Sequence, residues 1–141
     1  MEDNATLLRR LGAIIYDTVL AGFSIIIVAG ILSVAFTALT GIKPPEALMV
    51  LLYAVMAWGF FIWFWTHGGQ TLGMRAWKVR VVTEDGQPVS RQQATLRFFW
   101  AILSWAALGV GYLISLIDPQ RLTWHDRFSR TRLIRVHSTR K

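Results

Sequence analysis

Residues 98–117, "FFWAILSWAALGVGYLISLI", decide the fold. The 20 residues contain no Asp, Glu, Lys or Arg, and about 20 apolar residues rising about 1.5 Å each suffice to cross a bilayer. Read as one helix, the stretch is a membrane span that carries the chain to the other side. Read with Gly109 and Gly111 as a break, it could enter and return on one side, provided protein covers the interrupted backbone.

Two further windows, residues 18–42 and 47–74, are equally free of charge. All three are apolar all round, whereas a soluble core helix shows a polar outer face. The whole chain agrees: 141 residues, 54 % hydrophobic and 13 % aromatic, with a mean hydropathy of +0.44. The first helix is predicted over about 8–40, stopped by "GIKPPE", where Gly41 can cap and Pro44 and Pro45 cannot continue a helix. It reads as a retained span rather than a cleaved leader, because Asp17 interrupts the apolar run early and the sequence after "SVA" (33–35) stays apolar. The second helix is predicted over about 46–66, ending in an aromatic cluster suited to the headgroup level. Gly68, Gly69 and Gly73, with Gln70, then form a sharp interfacial turn.

The segment 67–95 is the one long internal stretch of water-facing composition. Within it "AWKVRVV" alternates apolar and basic residues, and "EDGQPV" follows as a turn, which predicts a short strand and hairpin. In the tail, 118–141, "TRLIRV" alternates again and could pair with it as a small sheet outside the membrane. A third helix is predicted over about 96–117. The fold class expected is therefore an all-α membrane protein, one domain over 1–141, with about three transmembrane helices and a small extramembrane strand element.

Charge opposes that count. The stretch from His67 to Arg97 carries Arg75, Lys78, Arg80, Arg91 and Arg97 against Glu84 and Asp85, and the tail is more basic still. Both should be cytoplasmic by the positive-inside rule, yet three crossings place them on opposite sides. Twenty apolar residues exceed the needs of a half-membrane loop, so three crossings with the N-terminus cytoplasmic are expected.

The net charge of +7 and pI near 10.8 flank apolar spans, which makes anionic lipid headgroups the expected partner rather than nucleic acid. There is no cysteine, hence no disulfide or thiolate site. "HGGQTLGM" lacks the Gly-Lys-Ser/Thr ending of a phosphate loop. His67, His125 and His137 are scattered without metal-ligand spacing, and adjacent residues such as His125 and Asp126 point in different directions. No enzyme, cofactor or metal is expected.

Asp17 is the residue that needs explaining. It lies seven residues from Arg10, on the same helix face but roughly 10.5 Å along the axis, beyond the three- or four-residue spacing of helical ion pairs. A partner must come from elsewhere, and Arg75, Arg97 and Arg121 near other helix ends are the candidates. A carboxylate in a membrane helix faces a bundle interior or a water path. It can carry protons or cations, or it can simply fix how helices dock.

Together "RRLGAIIYD" (9–17), "GGQTLGMRAWKVRVV" (68–82), the spaced Gly86, Pro88, Ser90, Ala94 and Arg97, and "DPQRLTWHDRFSRT" (118–131) resemble the RDD family of small integral membrane proteins. The resemblance implies a signature of one arginine and two aspartates: Arg10, Asp17, and Asp126 or else Asp118. The family's activity is mostly uncharacterised; the resemblance implies transport of ions or small ligands, with cation/proton exchange attributed to some member. Two functions are thus expected in rivalry: transport by an oligomer, with the signature residues as a polar site, or a non-catalytic accessory subunit of a larger membrane complex. A bacterial inner membrane is the expected location.

Overall fold

The computed structural model describes residues 4–136; His137, Arg140 and Lys141, counted above in the tail, lie outside the described residues. Helix α1 (Leu7–Thr40) runs 34 residues, about 51 Å at 1.5 Å per residue, longer than a hydrocarbon core of about 30 Å. It ends where Gly41 adopts a left-handed conformation and its N–H bonds Thr37 O at 2.8 Å. Its buried positions are Arg10, Ala13, Asp17, Ala21 and Ala29, a narrow stripe stepping by three or four residues as far as Ala21 and by two such steps to Ala29. Alanines on that stripe let neighbours approach closely, while Ile15, Val19, Phe23 and Ile31 on the other faces are exposed. Helix α2 (Glu46–Thr66) returns antiparallel in sequence order after a short Pro-containing link, and most of its apolar surface is likewise exposed. Both helices are long and apolar enough to cross a membrane.

After Gly68 and Gly69, α3 (Leu72–Ala76) is a single turn capped by Thr71, whose hydroxyl accepts from Met74 N–H. Strand β1 (Val79–Thr83) follows and pairs antiparallel with β2 (Thr131–Arg135), with Val81 opposite Leu133 and Thr83 opposite Thr131. The sequence predicted a hairpin from β1 into the next segment. The turn after Thr83 instead closes on itself through Thr83 N–H to Gln87 O at 2.9 Å, and the partner strand comes from the far end of the chain, as the alternation in "TRLIRV" allowed.

The third helix departs from expectation. Helix α4 (Arg91–Ala106) opens with a capping box in which Ser90 and Gln93 satisfy each other's backbone N–H groups. It stops at Ala106, and α5 (Val110–Leu113), continuing into a 3₁₀ turn over Ile114–Leu116, leaves at 108°. The continuous helix predicted over 96–117 does not form. Two glycines explain why: Gly109 sits at φ +78, which glycine adopts without cost, and a Cβ on Gly111 would stand 2.0 Å from Ser104 Oγ, so only glycine lets the returning arm lie on the outgoing one. The break keeps its backbone bonded, with Gly109 N–H to Ser104 O at 2.8 Å and Tyr112 N–H to Gly109 O at 2.9 Å. Leu108 at the apex is 92 % exposed.

Helix α6 (Trp124–Ser129) packs on α4 and leads into β2. The core sits where these ends meet: Ala5, Ala13, Ile62, Trp65, Met74, Val79, Val81, Val89, Ala94 and Leu133, with Phe61 and Phe98 against them. Ala5 N–H bonds Leu133 O at 2.7 Å, so the start of α1, the internal segment and the tail form one cap. Strands bonded to each other cannot be separated by a bilayer. The three basic segments therefore share one face, and the charge conflict disappears because α4 and α5 leave that face and come back to it.

Candidate functional site

Asp126 is the centre of the cap. It is the third residue of α6, where its carboxylate accepts Thr123 N–H at 3.1 Å while Thr123 Oγ accepts the Asp126 N–H, a reciprocal cap. That local motif fixes the carboxylate, and two guanidiniums converge on it. Arg10 Nη1 donates to Oδ2 at 2.6 Å and Arg97 Nη1 to Oδ1 at 2.5 Å. All three side chains are at least 97 % buried. Burial pushes the Asp126 carboxyl up, but Arg10 and Arg97 outweigh it and hold the group well below the usual carboxylate range.

Each arginine has further work. Arg10 Nη2 donates to Arg121 O at 3.0 Å and Nε to Ala5 O at 3.2 Å; Arg97 Nη1 donates to Thr131 Oγ1 at 2.8 Å. One carboxylate thus ties α1, α4, α6 and the entry to β2, bridging positions 116 residues apart. Arg10 is enclosed by the cap.

Asp17 has different company. Its Oδ2 accepts the Thr71 hydroxyl and its Oδ1 accepts Gly73 N–H at 2.8 Å. None of the arginine partners expected for it takes that role: Arg97 is committed to Asp126, Arg121 offers its carbonyl to Arg10, and Arg75 is exposed. The reason is the close docking of α3. A Cβ on Gly73 would stand 2.4 Å from Ala13 O and 2.8 Å from Asp17 Cγ, so glycine here brings a backbone amide within reach and leaves no room for a long cation. Of the turn residues, Gly68 and Gly69 carry positive φ and Gln70 Nε2 donates to Val79 O at 2.7 Å, fastening the turn to β1.

The two candidates for the third signature residue separate cleanly. Asp126 meets Arg10, whereas Asp118 pairs with Arg127, whose side chain is 55 % exposed, and caps Gln120 N–H at 2.8 Å. The Arg127 hydrogen bond holds the Asp118 carboxyl below its usual value.

Between α1, α2 and α4 lies a cavity of about 190 Å³. Arg10, Asp17, Trp65, Arg97, Tyr112 and His125 contribute to its wall, together with apolar side chains. His125 is fully enclosed, its ring 4.7 Å from that of Tyr112. Burial, and then the charge of Arg97, push it down to about 3, so it is neutral beside Asp126 and not a salt-bridge partner at 4.0 Å. Trp65 stacks under Arg97, whose Cζ lies 5.5 Å from the ring centroid. Sequence reasoning missed Thr71 as the partner of Asp17 and Trp65, Tyr112 and His125 as cavity residues. Only Thr71 left a signal, a helix-capping residue between a double glycine and an apolar turn. Among the described residues no group of three or more His, Cys, Asp or Glu could hold a metal ion.

The family model described as RDD family matches residues 4–130. No curated protein and no solved structure matches the chain.

Proposed function

From the premise that the chain belongs to the RDD family, we propose that it is an integral membrane protein of the transport class that handles an ion or small ligand as an oligomer, in a bacterial inner membrane with its N-terminus cytoplasmic. The observation that carries this reading is the cavity whose wall includes Asp17 together with Arg10 and Arg97. Buried charges are costly in a membrane domain and concentrate where ligands or ions pass. One chain encloses too little space for a pathway, and the exposed apolar faces of α1 and α2 are available to a second copy as well as to lipid. The orientation rests on the basic residues gathered on one face. No catalytic step belongs to the reading, since Asp126 is held by two arginines and His125 is neutral.

An accessory-subunit function is the second reading, favoured by a specific observation: both oxygens of Asp17 and both of Asp126 already accept hydrogen bonds from the protein. Reconstituted vesicles carrying a cation gradient and an internal proton-sensitive dye separate the two. Transport predicts cation-dependent proton flux that Asp17→Asn abolishes while the thermal midpoint of the purified protein stays within a few degrees. Flux unchanged in that variant removes Asp17 as the carrier, and absent flux in the natural sequence favours the accessory subunit.

A further inference from the structure

Three side chains on the wall of one cavity each carry a buried nitrogen with no partner among the described residues: the donors Arg97 Nε and Trp65 Nε1, and His125 Nδ1. Arginine and indole N–H groups donate and never accept. His125 shares a hydrogen bond with Thr123 Oγ1 through Nε2 at 2.9 Å, which leaves Nδ1 as its unpartnered nitrogen, a donor when the Thr123 hydroxyl gives its proton to Nε2. Leaving such donors unsatisfied away from water is unfavourable for each of them, and Arg97 Cζ lies 5.5 Å from the Trp65 ring centroid, so a group rich in acceptor oxygens between these side chains is the chemistry that meets the need.

Charge points the same way. At this end of the cavity two guanidiniums face one carboxylate, and His125 is neutral, so one positive charge is uncompensated. Asp17, the other acid on the wall, lies roughly 10.5 Å further along α1 and is already engaged by Thr71 and Gly73. An anion therefore belongs beside Arg97, away from Asp17.

Size and surroundings narrow the class. At about 190 Å³ the cavity is below the 300–1,000 Å³ that encloses a whole small ligand, so it takes a headgroup and not the molecule behind it. Its apolar wall includes Phe98 and Ile102, and Ile102 and Trp105 at its α4 edge are 50 % and 55 % exposed on the apolar flank of the molecule. We propose that the cavity holds the oxyanion headgroup of an acidic amphiphile, a phosphate or carboxylate, whose hydrocarbon chain leaves past Ile102 into the bilayer. This rests on reading the cavity as a ligand site, and not on transport; absence of proton flux leaves it standing.

The test uses the full chain in detergent and native mass spectrometry, with dioleoyl phosphatidylglycerol, dioleoyl phosphatidylcholine and inorganic phosphate as probes and oleate as a competitor. The expected result is one phosphatidylglycerol retained per chain at least about 10-fold over phosphatidylcholine, displaced by oleate but not by equimolar phosphate. Trp65→Phe, which keeps the ring and removes one donor, is expected to lower retention about fivefold, the equivalent of one hydrogen bond. Ile102→Trp, at an exposed position, is expected to lower it by obstructing the exit without touching a polar group. A preference that both variants leave unchanged would mean surface adsorption to basic residues and overturns the proposal, as does the absence of any preference. Phosphate displacing the lipid at equal concentration overturns the amphiphile in favour of a free anion.

Discussion

Asp126 and Asp118 are eight residues apart and each pairs with arginine, yet their surroundings give them different weights. Asp126 is the one carboxylate that faces two buried guanidiniums, so Asp126→Asn leaves both without a counter-charge and is expected to cost about 3–5 kcal/mol of stability, the range for breaking one partner out of a buried pair. Asp118→Asn loosens a contact to the half-exposed Arg127 and is expected to cost under about 1 kcal/mol. Denaturant unfolding in mixed micelles measures both. His125 adds a pH dependence of definite sign. Its folded value is near 3 against 6.5 for the ordinary group, so below pH 6.5 the unfolded chain takes up a proton that the folded chain refuses. Stability is expected to fall as pH drops from about 6.5 toward about 3, by up to about 1.4 kcal/mol per unit, and His125→Gln is expected to flatten that window. The Asp126 carboxyl, held below its usual value, adds its own loss only as pH falls below about 4.

At the scale of elements, the return of α5 against α4 depends on Gly111. Gly111→Ala would place a methyl 2.0 Å from Ser104 Oγ and 2.7 Å from its Cβ, and overpacking of this kind costs about 1–3 kcal/mol. A drop in thermal midpoint checks this, and Gly59→Ala, with nothing within 4 Å of the new methyl, is the control. The long helices were legible in the sequence because freedom from charge over 18–42 and 47–66 admits few alternatives, and the small sheet because alternation in "WKVRVV" and "TRLIRV" is a strand signal wherever it occurs. The break in the third apolar stretch was half legible. Gly109 and Gly111 marked it, but hydrophobicity and length say nothing about direction, and the decisive facts are the packing of Gly111 on Ser104 and the pairing of β1 with β2. Among site residues, Arg10 and Asp17 with Asp126 or Asp118 came as a set from the family resemblance, which says nothing of how they pair. Spacing along one helix excluded an Arg10–Asp17 contact, but only the tertiary arrangement assigns Arg97 to Asp126 and the small donors of the glycine turn to Asp17.

At the scale of the whole molecule, two apolar helices stand on a polar cap, and the α4–α5 arm dips toward the same side as those helices and comes back. Arg10, Arg97 and Asp126 close that cap with a single buried charge cluster, and it is this closure that gathers every basic segment on one face. The absence of cysteine from the sequence makes the claim directly measurable. Asp85→Cys in the β1 turn, Gln120→Cys in the tail and Lys43→Cys in the α1–α2 link each place a lone thiol at an exposed position. Labelled in intact, oriented membrane vesicles with a maleimide that does not cross the bilayer, the first two thiols are expected to react from the same side and Lys43→Cys from the other. Labelling of Asp85→Cys and Gln120→Cys from opposite sides would contradict the account.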